Sequence, residues 1–442
     1  MRGHLLKETG ILPDYDAADY LRITLIMGLM GAFFWAIRGT RGFGGESGGT
    51  LAGLGWASLW LAFSHLRGDG ARRPYGSAWM LAAIVLGVAA GGLTGYGVYI
   101  SWLNGVYQMN GNEVARGIAP WTGYVMLFIC GIHWGGVTGS FMAWAGPAKP
   151  VGWRVWVARI LAGAGGGAFA AMLVGWFPSV FLPFYNEGYY QIDAYATSAR
   201  AMRSATTIAQ HVGPFLGFLS VELARRDWRA VKVMLVMAFG FAIPFAAGGY
   251  WHTLRGAGPD IDWWKNWEMT IGLGGGLAFG LAFYLFNRPT GPPRRPALRL
   301  ERIVVVGPVL WLALGTVMLG AYDGFMRLHG LEASVALRRT TVFWIYQCAA
   351  GCAFAYWAYR APDTAAAARR ESDRPPLPVV ALTAILAIVV LAGFAVSIPD
   401  PRRLADTVLL ALYSLYVASS AMLFATIIVR RRASLTSPDG VS

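Results

Sequence analysis

An unbroken run of about 20 apolar residues, coiled as a helix, is long enough to cross the roughly 30 Å hydrocarbon layer of a bilayer. Such runs can be placed about twelve times in this chain of 442 residues. They cover roughly 21–38, 49–66, 78–102, 118–145, 151–182, 205–223, 231–254, 268–287, 302–322, 340–359, 377–398 and 405–429. Hydrophobic residues make up 56% of the chain and charged ones only 14%, which is the balance of a polytopic membrane protein. The 57 glycines do not count against helices, because neighbouring helices and small side chains re-satisfy the backbone in lipid. The expected fold is all-α, with about twelve transmembrane helices.

A net charge of +14 could suggest a nucleic-acid partner, but its distribution argues against one. Of the 37 Lys and Arg, 24 fall in the termini and even-numbered loops and 12 in the odd loops. That bias is the positive-inside pattern, and it places both termini in the cytoplasm of a bacterial plasma membrane. The first twenty residues are polar and mixed in charge, so the first apolar run is expected to be an uncleaved anchor. Cys130, Cys348 and Cys352 all fall in proposed spans, where they read as small buried hydrophobes with no disulfide, metal or cofactor implied.

Two stretches share one plan. In the first, Phe33-Phe34-Trp35-Ala36-Ile37-Arg38-Gly39 runs into a polar glycine loop holding Arg41 and Glu46, then into Gly48-Gly49-Thr50-Leu51-Ala52-Gly53. In the second, Tyr250-Trp251-His252-Thr253-Leu254-Arg255-Gly256 leads into a loop with Asp260, Asp262, Trp263, Trp264, Lys265 and Glu268, followed by Gly274-Gly275-Gly276. The pairs Arg38/Arg255 and Glu46/Glu268 suggest an internal repeat. The expected division is a lead-in at 1–20, a six-helix repeat at 21–223, a linker at 224–230, a second repeat at 231–429 and a tail at 430–442. Six helices per half is an even number, so the two repeats would be parallel.

The basic loop after the second run carries Arg67, Asp69, Gly70, Arg72 and Arg73, and Arg294-Arg295 follow the eighth run with similar spacing. With its length and two six-helix halves, the chain resembles the major facilitator superfamily in architecture. Its loop is similar to that family's Gly-x-Leu-Ala-Asp-Arg-x-Gly-Arg-Arg loop. The resemblance implies alternating access, with helices 1, 4, 7 and 10 lining a cavity that would gather Arg38, His133, His252 and Gln347.

On this topology Arg38, Arg41, Glu46, Arg255, Asp260, Asp262, Lys265 and Glu268 share the outward side with many aromatic residues. Carboxylates beside aromatic faces suit polyols or cationic groups. The plainer alternative is that Arg38 and Arg255 sit at helix carboxyl ends and Glu46 and Glu268 at amino ends, where the helix dipole favours them. The tryptophans would equally serve as an interfacial belt. His133 and His211 lie at membrane depth, as proton carriers or as structural glue.

The expected function is a secondary transporter of a small polar solute, bound between the halves by Arg38, Arg41, Glu46, His133, His252, Arg255, Asp260, Asp262 and Glu268. The alternative is a membrane-embedded enzyme acting on a lipid-linked or cell-envelope glycan. A third possibility is a structural subunit. Expected partners are the solute or glycan and membrane lipids, with oligomeric state left open.

Overall fold

The computed structural model describes residues 14–40, 43–67, 72–93, 99–107, 116–147, 149, 151–187, 192–254, 261–290, 305, 309–330, 349, 351–353, 356, 377–397 and 404–436. Its long helices are α1 (Ala17–Arg38), α2 (Gly45–His65), α3 (Trp79–Gly91), α4 (Pro120–Ala145), α5 (Trp153–Trp176) and α6 (Ile192–Ala224). They continue as α7 (Trp228–Gly248), α8 (Trp263–Phe286), α9 (Leu310–Leu328), α10 (Leu377–Val396) and α11 (Leu404–Thr436). Among the described residues seven helices are long and apolar enough to cross a membrane: α1, α4, α5, α7, α8, α10 and α11. The proposed tenth span, 340–359, lies almost wholly outside the described residues.

Local sequence sets the helix ends. Asp16 caps α1, its carboxylate accepting from the Asp19 N–H at 2.7 Å. Asp262 does the same for α8 through the Lys265 N–H at 3.0 Å. That cap starts α8 at Trp263, so Trp263, Trp264, Lys265 and Glu268 are helical rather than in a polar loop. Between α1 and α2, Gly44 and Gly45 have φ of +148° and +49°, a turn that a side chain would strain.

Six helices close a ring of contacts in the order α1, α2, α3, α4, α7, α8 and back to α1. Every neighbouring pair runs antiparallel. Glycine sets how closely they approach, because a Cβ at Gly272 would overlap the Gly31 carbonyl oxygen, one at Gly276 the Met27 carbonyl oxygen, and one at Gly280 the Thr24 backbone. The α4–α7 contact repeats the device, with Gly131, Gly135 and Gly139 on Ala242, Met237 and Met234. Small residues every fourth position give the backbone-to-backbone packing on which helices in lipid rely.

Rings from opposite walls fill the centre. Trp35 of α1 meets Trp134 of α4 with centroids 4.7 Å apart, and Trp56 of α2 meets Phe241 of α7 at 5.7 Å. Outside the ring, α5 packs on α6 and α6 on α4, while α9, α10 and α11 lie along α1 and α2.

The end of the bundle where α1 begins is tied by buried polar groups. Asp19 accepts from Arg67 at 2.8 Å and Arg22 at 3.0 Å. Arg73 pairs with Asp14 at 2.9 Å and donates to the Asn287 carbonyl at 2.7 Å. The Asn287 side chain accepts from the Tyr75 N–H and donates to the Ser64 hydroxyl, each at 2.9 Å. Arg159 and Arg225 converge on the buried Glu222, each at 2.6 Å. Arg430, near the end of α11, lies 3.2 Å from Asp16, so the described amino and carboxyl ends meet on one side of the bundle.

Candidate functional site

The opposite end of the ring differs in character. Arg38 closes α1 and is only 3% exposed. Its guanidinium carbon stands 4.7 Å from the Trp35 ring centroid and 4.9 Å from that of Trp134. A cation on two aromatic faces, away from water, is held by the rings' negative quadrupoles. Trp35 reaches it from the preceding turn of α1, and Trp134 is carried there by α4, whose path along α3 is fixed where Gly91 leaves room for the indole.

Lys265 and Glu268, from the first two turns of α8, complete this cluster. The Lys265 ammonium donates to Glu268 Oε2 and to the Ala36 carbonyl, both at 2.7 Å, and to the Thr40 hydroxyl at 3.3 Å. Glu268 is 1% exposed, and its Oε1 rests against Gly39, in the space a Cβ there would claim. The Glu268 carboxylate is close enough to act electrostatically on Arg38. The α8 residues belong to the second half of the sequence and Arg38 to the first, so the cluster straddles the seam where α8 meets α1.

An aromatic wall continues from it. Trp267 donates to the Phe245 carbonyl at 3.0 Å, and its ring meets His252 at 5.1 Å. His252 lies in the 3-10 segment Gly249–Leu254 and also contacts Trp264 at 5.5 Å. Trp251 stacks on Trp263 at 6.0 Å. A short helix, Tyr99–Leu103, and the antiparallel pair Val106–Tyr107 with Arg116–Gly117 border the same end.

The residues expected from sequence separate into three groups. Arg38, His252 and Glu268 are buried at this end, with Asp262 half-buried at its edge as the α8 cap. Glu46 is exposed in the first turn of α2. His133 is buried beside α6, its ring 4.5 Å from that of His211 and next to the Ala90 backbone. Arg41, Arg255, Asp260 and Gln347 lie outside the described residues.

Trp35 and Trp134 escaped the sequence reading because a tryptophan inside an apolar run looks like core. Asp323 of α9 was missed too; it is 1% exposed and paired with Arg327 at 3.1 Å. Among the described residues no group of three or more His, Cys, Asp or Glu is arranged to hold a metal ion.

No family model, no curated protein and no solved structure matches this chain.

Proposed function

We infer that this chain is a secondary transporter of a small polar solute in a bacterial plasma membrane, with both termini cytoplasmic and the solute received at the Arg38 end of the ring. The observation that carries this is Arg38 itself, a guanidinium buried on Trp35 and Trp134 with the Glu268 carboxylate of the other sequence half close enough to act on it electrostatically. A buried charge at such a place is costly to maintain, and membrane proteins keep such charges mostly where function needs them.

Alternating access supplies the movement. The ring draws α1 to α4 from residues 21–223 and α7 and α8 from 231–429, so the halves meet at two seams, α8–α1 and α4–α7. Both seams are lined by glycines at every fourth position, and such backbone contacts slide without side-chain interlocking. The rings of Trp56 and Phe241, packed against Trp35 beside the Arg38 cradle, then form the closed gate. The two parallel six-helix repeats and their likeness to the major facilitator architecture belong to this proposal.

The alternative, an enzyme acting on a lipid-linked glycan, draws support from the same aromatic gate, since the polar groups gather at one end rather than at mid-depth. Its candidate acids are already engaged: Asp262 caps α8 and Glu268 holds Lys265. Reconstitution into proteoliposomes, with uptake of labelled amino acids, organic acids, sugars and nucleosides, tests the choice. Uptake of any of these that is abolished in Arg38→Ala supports transport. No uptake, with turnover of a lipid-linked glycan in the same vesicles, overturns it.

A further inference from the structure

One buried titratable side chain takes no part in the Arg38 cluster. His133 of α4 is 0% exposed, and neither of its ring nitrogens has a hydrogen-bond partner among the described residues. A neutral imidazole carries one donor and one acceptor, and burying both unpaired is costly. His65, by contrast, pairs its Nε2 with the Gly76 carbonyl at 2.9 Å. The Ala90 backbone lies close to the His133 ring without completing a hydrogen bond.

What faces His133 is a second imidazole. The half-buried His211 of α6 stands 4.5 Å away between ring centroids, tilted by 54°. The contact lies at the joint where α6, backed by α5, meets the ring of helices, and one turn further along α4 Gly136 makes room for the Phe215 ring of α6. Among the described side chains no acid is brought to this joint. α3 has no titratable residue, and α4 adds only Tyr124 and Cys130. The short helix brings Tyr99 against α4 at Gly123. Arg229 and Lys232 lie in the first two turns of α7, and Arg154 and Arg159 in those of α5, toward Glu222, which is three turns beyond His211. Arg38 is reached only through Trp134, the residue after His133.

Two imidazoles in contact can share a proton, one ring donating and the other accepting, which a histidine packed on an apolar wall cannot do. We propose that His133 and His211 form a proton-binding pair at the α4–α6 joint, and that on the transport reading, which this inference rests on and deepens, the shared proton is the coupling ion. The proton arrives from water on a ring nitrogen of His211. The new N–H bond is accepted by a nitrogen of His133, and the pair gains one positive charge. It leaves by the reverse transfer, with no other bond made or broken. The link to the Arg38 end is α4 itself: His133 and Trp134 are consecutive, and they meet Ala90 and Gly91, which are consecutive on α3. A shift of His133 on taking up the proton is therefore passed to a ring on which Arg38 rests.

The test is nuclear magnetic resonance of the full chain in detergent micelles with isotope-labelled histidine rings, titrated from about pH 5 to about pH 8, where imidazoles ordinarily change charge. His133→Gln and His211→Gln assign the two signals among the six histidines. The expected result is that both rings respond to one titration in the wild type, and that removing either moves the midpoint of the other by about one pH unit or more. His211→Gln, at the half-buried position, keeps the test open if the His133 variant does not fold.

Rings that titrate independently, or that do not titrate in this range, overturn the proposal. Uptake into proteoliposomes with and without an imposed pH gradient separates the two levels of inference. Gradient-driven uptake that His211→Gln makes indifferent to the gradient supports the pair as the coupling site. Coupled titration with no uptake of any solute keeps the proton pair and removes transport, whereas wild-type uptake indifferent to the gradient keeps transport and overturns the coupling role.

Discussion

Lys265 donates to the carbonyl of Ala36 at 2.7 Å, across 229 residues of sequence. The last carbonyls of a helix have no partner within it, and a cation there also meets the negative end of the dipole. Here the cation comes from another helix, so the end of α1 and the start of α8 are fixed together, and Glu268 is fixed with them.

Lys265→Met should therefore lower stability by about 3–5 kcal/mol, because it leaves the buried Glu268 carboxylate unpaired. The double variant Lys265→Met with Glu268→Gln should recover a large part of that loss. Unfolding temperatures of the three proteins in one detergent measure it. A double variant no better than the single one would show that Lys265 acts mainly through Ala36.

Gly276 and Gly165 make a matched pair of tests. A Cβ at Gly276 would overlap the Met27 carbonyl, whereas at Gly165 it would meet open space. Gly276→Ala should cost about 1–3 kcal/mol by pushing α8 from α1. Gly165→Ala should be neutral or stabilising by up to about 1 kcal/mol, as expected for a helix interior. Folded yield and unfolding temperature read both.

Asn287→Ala should destabilise by about 1–3 kcal/mol, since it leaves the buried Tyr75 N–H without an acceptor. Asn287→Asp keeps an acceptor for that N–H and loses the donor to Ser64. It should fall between wild type and the alanine variant in thermal unfolding.

Asp16 gives a pH signature. Its hydrogen bond from the Asp19 backbone N–H is the chief cause that holds its carboxyl below the ordinary value of 3.8, with Arg430 and Arg22 adding to the effect. A depressed folded-state pKa means the stabilisation is complete above that ordinary value and is lost as pH falls through the lowered one. Asp16→Asn keeps the cap without the titration. The gap in unfolding temperature between wild type and this variant should be constant near neutrality and shrink in acid.

Much of the secondary structure could be read from the sequence because bilayer length and apolar composition dictate it. The run expected at 118–145 is Pro120–Ala145, and that at 21–38 is Ala17–Arg38. Turn chemistry was harder to see. The expected helix at 268–287 missed its own first turn, since Trp263-Trp264-Lys265-Asn266 looks polar until Asp262 is recognised as its cap. The site was half visible: Arg38 and Glu268 stood out as charges beside apolar runs, but their indole neighbours come from α1 and α4, and no sequence spacing predicts which rings share an axis. His133 stood out equally and lies elsewhere, because a helix face is assigned only by what packs on it.

Ring closure has a further consequence, for the order in which the protein is made. The α1 surface carrying Gly28 and Gly31 is completed only by α8, which ends at Phe286. A nascent chain that has completed only α1 to α4 holds an open sector with two glycine-lined edges, of which the α4 edge is covered once α7 is made and the α1 edge only once α8 follows. More than a hundred residues separate the end of α4 at Ala145 from the end of α8 at Phe286, so ring closure waits on the synthesis of that whole stretch.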